Sequence, residues 1–345
     1  MRILVTGGGG FLGTFIVKEL LKNTSYLVTN FSRHSYSHLE DLGVPTIKGD
    51  IRNKQDVERA VAQGFDAIFH VAALAGVWGK YDDYLGINYL GTKYLVEAAR
   101  ERGVERFIYT STPSVVFNQD DLLGVNEEQP YATEFLNAYS ETKTMAEKLV
   151  LQSNDGQSFL TCAIRPHLIW GPGDPHLFPR IIQKGKEGKL RVVGDGENLV
   201  DIIYVENAAL AHVLAFERME PGSPVCGQAY FVGQERPVKL WTFINQILGF
   251  VKVEPVMGSI DIKSAYRLGW LLEKVFKIAG IQKPEPPMTR FVALNLGKSH
   301  YFSHQKAFAH FGYHPRVSIE EGLKRTFTQR DSILAGDKAA PPVKG

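Results

Sequence analysis

A tyrosine, a lysine and a hydroxyl residue are the groups in this sequence whose types and spacing could move a proton. Tyr139 and Lys143 stand in Tyr139-Ser-Glu-Thr-Lys143, and Thr112, with Ser111 as the alternative, stands upstream in Ser111-Thr112-Pro113-Ser114. Residues four apart on a helix share one face, so phenol and ammonium are neighbours there. A free phenol titrates near about 10 and is a poor acid or base at neutral pH. A lysine cation beside it favours the phenolate and draws that value toward working pH. The hydroxyl of Thr112 would hold the oxygen that gains or loses the proton. On its own the Tyr-x-x-x-Lys spacing equally describes an amphipathic surface helix. Its meaning depends on what else the chain carries.

The decisive companion lies at the start. Ile3, Leu4 and Val5 form a short apolar run suited to a strand buried on both faces, and Thr6-Gly7-x-x-Gly10-x-x-Gly13 interrupts it. Phe11, Leu12, Phe15, Ile16 and Leu20 then recur at helical spacing. Strand, glycine turn and helix in that order place free backbone amides and the positive end of a helix dipole where a pyrophosphate binds. Gly7 allows the tight turn, Gly10 the approach of phosphates, and Gly13 close packing of helix on strand. Gly7, Gly9, Gly10, Phe11, Leu12 and Gly13 are therefore candidate cofactor contacts. A second strand over residues 26–31 ends in Asn30-Phe31-Ser32-Arg33-His34, without the acid that would hold a free ribose hydroxyl. Ser32 and Arg33 suit a 2′-phosphate, which favours NADP(H), with NAD(H) as the weaker alternative. An oxidised nicotinamide would further favour the tyrosinate.

The elements that must position these groups follow in alternation. Strands are expected at 44–48, 65–71 and 106–110, and helices at 53–62 and 84–102, the latter carrying Asn88. This predicts an α/β fold of Rossmann type: a doubly wound parallel sheet with helices on both faces. The small residues Ala72, Ala73, Ala75 and Gly76 fall at a strand end, where they leave room for a nicotinamide ribose. A helix from about Asn137 carries the Tyr/Lys pair. Residues 1–165 read as the cofactor domain, with a segment near 200–232 returning to it. Residues 166–199 and 233–334 read as a smaller α/β substrate lobe, and 335–345 as a polar tail. In the lobe, a proline-bracketed loop holds His176, Phe178 and Arg180, and short strands flank Gly194-Asp195-Gly196. Residues 262–279 form an amphipathic helix with Trp270, Leu271, Leu272, Val275, Phe276 and Ile278. It either packs in the lobe or dips into a membrane surface.

Composition narrows the class. The chain has 345 residues and a formal charge of +2, which suggests no nucleic-acid partner. No run reaches the roughly 18 apolar residues of a membrane span, and a strand from residue 2 leaves no room for a signal peptide. Cys162 and Cys226 form neither a disulfide framework nor a metal spacing, so no metal site is expected. A reducing cytosol fits, with the inner-membrane surface as a peripheral alternative.

Taken together these residues resemble the extended short-chain dehydrogenase/reductases. The matching stretches are Thr6 to Gly13, Gly49-Asp50-Ile51, His70-Val-Ala-Ala73, Asn88 with Gly91-Thr92, Tyr109 to Thr112, Tyr139 to Lys143, and Arg165-Pro166. The resemblance implies Thr112, Tyr139 and Lys143 as the catalytic set, Asp50 at the adenine and Asn88 as an active-site support. Ile51, Ala72, Ala73 and Pro166, in the same stretches, join the cofactor-site candidates. Ile169-Trp-Gly-Pro-Gly-Asp174 and Tyr204-Val-Glu-Asn-Ala208 resemble the 3β-hydroxysteroid dehydrogenase branch. Ala75-Gly-Val-Trp-Gly79 and Tyr109-Thr-Ser-Thr-Pro-Ser-Val-Val-Phe117 are most similar to the 2-alkyl-3-oxoalkanoate reductases of bacterial long-chain olefin biosynthesis. What this implies is reduction of a lipid-like β-keto acid. It also implies a homodimer built on 84–102 and 137–154, and association with a membrane or with other olefin-pathway enzymes. Val77, Trp78, Phe117, Leu177 and Phe178 are expected to line a greasy crevice, with Lys80 or Arg180 facing a carboxylate. A 3β-hydroxysterol or sterol-4-carboxylate dehydrogenase using NAD⁺ is the alternative. A nucleotide-sugar epimerase and a non-catalytic NADP-binding module are weaker ones.

Overall fold

The computed structural model describes residues 1–328; the expected tail at 335–345 lies outside them. Its centre is a sheet of seven parallel strands. Five are β1 (Arg2–Thr6), β2 (Leu27–Ser32), β3 (Thr46–Lys48), β4 (Ala67–His70) and β5 (Arg106–Thr110). With Leu160–Pro166 and Gln228–Val232 they run in the order Gln228–Val232, Leu160–Pro166, β5, β4, β1, β2, β3. Side chains of a strand alternate between faces, and the core divides accordingly. Ile3, Val5, Phe69 and Ile108 pack into one helical layer, while Leu4, Ile68, Phe107 and Tyr109 pack into the other. Burial on both faces is why these strands read as unbroken apolar runs.

The strand order reverses between β1 and β4, and an open α/β sheet binds its ligands outside the strand ends at such a point. Register makes those ends level, with Thr6 opposite both Phe31 and His70, and His70 opposite Tyr109. The helix Phe11–Leu20 begins directly above the β1 end.

The lobe is built around a four-stranded sheet in the order Val238–Lys239, Leu199–Val200, His300–Phe302, Leu122–Val125. Leu122–Val125 follows β5 in sequence, yet pairs with His300–Phe302. No strand is predicted there from the sequence, because an isolated four-residue run carries no clear period. Val192–Val193 and Leu199–Val200 do flank Gly194-Asp195-Gly196, but they join different sheets.

Two predicted elements take other forms. The helix expected at 84–102 is a short helix Tyr81–Tyr84, a π-helical turn Leu85–Leu90 and a helix Gly91–Glu101. The wider turn carries Asn88, whose side chain holds the Leu74 backbone from both sides. The expected loop with His176, Phe178 and Arg180 is largely the helix Leu177–Lys186. Asp174 starts it by accepting hydrogen bonds from the backbone N–H groups of His176, Leu177 and Phe178. Phe178 is fully buried and stacks on Trp170, so it belongs to the lobe core and not to a crevice.

Candidate active site

A cleft of about 680 Å³ runs along the strand ends and into the lobe. Its wall includes Gly7, Gly10, Phe11, Leu12 and Gly13 from the glycine turn, Ser32 and Arg33 at the end of β2, and Asp50 and Ile51 beyond β3. Ala72, Ala73, Thr112, Tyr139, Lys143 and Pro166 complete the set of sequence candidates that line it. Gly9 and Asn88 stand behind the wall. A side chain at Gly9 would run into the Tyr36 ring, and Asn88 acts through the Leu74 backbone.

The turn fits a dinucleotide pyrophosphate. The helix Phe11–Leu20 is capped by Gly10 with no side-chain bond and has no acid in its first turn, so its leading amides face the cleft unopposed. Gly7 adopts φ 69°, and a Cβ there would stand 2.9 Å from the Ala72 Cα. A Cβ on Gly13 would strike the Gly7 carbonyl. Asn30, fully buried on β2, accepts from the Gly8 N–H at 2.9 Å and donates to the hydroxyls of Ser32 and Thr46. Sequence reasoning passed over it, although a polar residue inside an apolar strand was the available signal. The Ser32 hydroxyl itself donates to the His34 carbonyl, while Arg33 is exposed on the cleft wall.

Beneath the turn a one-way chain of hydrogen bonds locks the ends of β1 and β4. Ala72 N–H donates to the Thr6 hydroxyl (3.2 Å), which lies 2.8 Å from His70 Nδ1. His70 Nε2 lies 2.8 Å from the Thr92 hydroxyl, which donates to the Asn88 carbonyl at 2.6 Å. With the Thr92 proton committed, His70 donates from Nε2 and accepts at Nδ1. Burial, helped by the Lys143 charge, lowers the His70 pKa to about 3, so the ring is a neutral strut.

Tyr139 and Lys143 come from the helix Ala138–Gln152, which Asn137 starts by accepting from the Ser140 N–H at 2.8 Å. The Lys143 ammonium donates to the Thr110 carbonyl at 2.6 Å and lies 4.1 Å from the Tyr109 ring centroid. Burial pulls its pKa down to about 7, against the pull of Glu147 one turn on. The expected lowering of the Tyr139 pKa is not what the protein alone does. Burial raises it and the Thr112 hydroxyl opposes that rise, while the Lys143 ammonium directs one of its N–H groups to the Thr110 carbonyl. Thr112 begins the short helix Pro113–Val116, with its hydroxyl 2.8 Å from that of Ser114, another lining residue the sequence reading did not single out. Ser111, the alternative to Thr112, also lines the cleft, but its hydroxyl is buried and has no hydrogen-bond partner among the described residues. Glu147 forms a fully buried ion pair with Arg165 (Nε to Oε2, 3.0 Å) and accepts from the Tyr131 phenol at 2.8 Å.

Beyond the Tyr/Lys pair the cleft is walled by Phe117, Leu122, Phe291 and Phe302, with the histidines His167, His176 and His300 among them. Of the residues expected to make this end greasy, Phe117 does so, whereas Val77, Trp78, Leu177 and Phe178 do not line it. Trp78 packs on Phe276 and donates to the Ile281 carbonyl at 3.1 Å, tying the loop after β4 to the lobe.

Residues 4–255 match the 3-beta hydroxysteroid dehydrogenase/isomerase family. The chain belongs to that family. Like the rest of the 3-beta hydroxysteroid dehydrogenase-like group, it is an NAD(P)-dependent oxidoreductase of the extended short-chain dehydrogenase/reductase class. This family member is 45% identical over 328 residues to a 2-alkyl-3-oxoalkanoate reductase of Stenotrophomonas maltophilia (strain K279a), covering 94% of this chain and 98% of that one. It is 37% identical over 328 residues to a decarboxylating sterol-4-alpha-carboxylate 3-dehydrogenase of Mus musculus, covering 94% of this chain and 90% of that one. A UDP-glucuronic acid 4-epimerase from Bacillus cereus, solved in complex with NAD, has a TM-score of 0.72 at 24% identity over 97% of this chain and 99% of that one. That likeness is one of fold.

Proposed function

We propose that this oxidoreductase reduces the ketone of a 2-alkyl-3-oxoalkanoate to the 2-alkyl-3-hydroxyalkanoate, with NADPH as reductant. The observation that carries the reading is the continuity of the cleft. It leads from the glycine turn past Tyr139 and Thr112 directly into walls of Phe117, Leu122, Phe291 and Phe302. A ketone held at the tyrosine would have apolar walls for its alkyl chains. The identity to a 2-alkyl-3-oxoalkanoate reductase supports the same substrate class.

The bound cofactor supplies a hydride to the ketone carbon. Thr112 holds the ketone oxygen, and Tyr139 donates its phenolic proton there as the oxygen gains negative charge. A phenol kept protonated by burial is suited to that direction. Lys143 binds the nicotinamide ribose and, when charged, stabilises the tyrosinate left behind. Arg33, exposed on the wall beyond β2 with no acid beside it in sequence, is the proposed reader of the 2′-phosphate. Asp50 and Ile51 would border the adenine.

We further propose a cytoplasmic homodimer built on residues 84–102 and 137–154, able to dock on a membrane through the exposed face of Ile262–Ile278. The test of the catalytic reading is steady-state turnover of purified protein with a 2-alkyl-3-oxoalkanoate and NADPH, compared with a 3β-hydroxysterol or sterol-4-carboxylate and NAD⁺. Faster turnover of the sterol would replace the alkanoate reading with the sterol one.

A further inference from the structure

Two histidines at the lobe end of the cleft have no part in the proton and hydride transfers described above. His167 follows Pro166 beyond the central sheet, and His300 opens the lobe strand His300–Phe302. His167 Nε2 lies 2.7 Å from His300 Nδ1, and the two rings meet edge to face with centroids 4.8 Å apart. His300 Nε2 in turn lies 2.9 Å from the Asn295 backbone oxygen. A carbonyl can only accept, so His300 carries its proton on Nε2 and offers Nδ1 as an acceptor. His167 must then donate from Nε2. In the neutral ring this leaves Nδ1 of His167 as a bare lone pair, without a partner among the described residues. Both rings line the cleft.

The distribution of charge makes this nitrogen matter. Arg33 and Lys143 are the arginine and lysine among the residues lining the cleft, at its adenosine end and at the tyrosine respectively. Neither Lys80 nor Arg180, the sequence candidates for a carboxylate partner, lines it, and Arg180 is ion-paired with Glu285. An acid bound with its ketone at Tyr139 and its chains against Phe117, Phe291 and Phe302 would therefore meet histidine as its source of positive charge.

We propose that His167, positioned by His300, is the binding site for the substrate carboxylate, and that the pair takes up one proton as the acid enters. The proposal rests on the reading that the substrate is a β-oxo or β-hydroxy acid. The proton comes from solvent and adds to His167 Nδ1. It turns that lone pair into an N–H donor to a carboxylate oxygen, while Nε2–H continues to donate to His300. No other bond is made or broken.

Without an acid both rings are held neutral. Burial, and then the neighbouring ring, pushes His167 well below the ordinary histidine range, and burial likewise lowers His300. The carboxylates of Asp201 and Asp121 act on His300 from the lobe side, but His304 and Lys298 engage them at 2.9 and 3.0 Å. Tyr139, Lys143, the exposed His176 and Asp174 face the same space from the other walls, the Asp174 carboxylate being taken up by the backbone N–H groups of His176, Leu177 and Phe178. An entering carboxylate places a countercharge against His167 itself, and so raises the histidine pKa. Acid binding should therefore weaken as pH rises, and binding of an uncharged ester should not.

The experiment uses the intact protein with NADP⁺ and a 2-alkyl-3-hydroxyalkanoic acid, its methyl ester, and a 4α-carboxysterol. Calorimetric titration of the wild type loaded with NADPH in place of NADP⁺, a dead-end complex in which the hydroxy compounds cannot react, in buffers of different ionisation enthalpy, should record uptake of about one proton for the acid and none for the ester. In His167→Gln the acid-to-ester ratio of kcat/KM should fall about tenfold or more, and its pH dependence should flatten. Retained cofactor binding shows that this variant is folded. An unchanged ratio, an equal loss for acid and ester, or no proton uptake by wild type would each overturn the proposal. The wild-type proton count decides the matter even if the variant fails to fold. A protein that prefers the carboxysterol, with the same proton uptake, would refute the alkanoate reading and leave the carboxylate site standing.

Discussion

Tyr139 stands where a protonated phenol, a threonine hydroxyl and a buried lysine converge, and these three groups carry different consequences. Tyr139→Phe removes only the hydroxyl and leaves the ring packed as before. Loss of a positioned acid typically costs about 10²–10⁴-fold in rate, and turnover should fall by that order. Cofactor affinity should hardly move if, as proposed, the phenol meets the substrate oxygen. Steady-state turnover measured beside a cofactor fluorescence titration separates the two effects, and near-normal turnover would refute the proposed proton transfer. Lys143 adds a pH dependence. Burial holds its pKa at about 7 in the free protein, so the ammonium is present below that value and is lost as pH rises through it. If the ammonium contacts the ribose, the cofactor dissociation constant should rise with pH above about 7. Lys143→Met should abolish that rise, and fluorescence titrations across the neutral range would check it.

At the scale of elements, the helix Ala138–Gln152 carries Tyr139, Lys143 and Glu147 at successive four-residue steps, hence on one face. Its lower end is fastened by the Glu147–Arg165 pair, with the guanidinium held 4.9 Å from the Phe231 ring centroid and 5.5 Å from that of Tyr131. Such a pair adds little net stability, but removing one member leaves a buried charge uncompensated. Glu147→Ala should therefore destabilise the fold by about 3–5 kcal/mol. Denaturant unfolding measures this directly. A loss well under about 1 kcal/mol would mean that water or another group neutralises Arg165.

The whole molecule presents one face that its own folding does not explain. Helix Ile262–Ile278 turns Ala265, Gly269 and Glu273 inward, with Glu273 satisfied by Arg290 at 2.9 Å. Outward it shows Trp270, Leu271, Val275 and Ile278, the last 87% exposed, with Lys274 lying over the Trp270 ring. Apolar residues outside and a carboxylate inside reverse the usual arrangement of a surface helix. Basic and aromatic residues around an apolar stripe suit an anionic lipid surface. The protein should co-sediment with anionic vesicles at low salt, and Trp270→Glu should abolish this while leaving cofactor binding intact. Wild type that stays in the supernatant would exclude docking by this face. Among the described residues no helix is long and apolar enough to cross a membrane.

Features written in consecutive residues are legible in the sequence itself. An apolar run, three spaced glycines and a 3.6-residue period specify β1, the turn and the helix Phe11–Leu20, because each depends on neighbours a few residues away. The same holds for Tyr139 and Lys143, whose shared face follows from helix pitch alone. Other features need the chain folded back on itself. Asn30 reaches the Gly8 amide across two strands, Leu122–Val125 leaves the cofactor half to pair in the lobe, and His167 meets His300 from 133 residues away. Phe178, which the sequence placed near the crevice, is drawn into the lobe core against Trp170. Periodicity records which face of an element is apolar. Which element that face meets is decided by packing, by the pairing of buried polar groups and by strand register, and these arise only in the assembled tertiary structure.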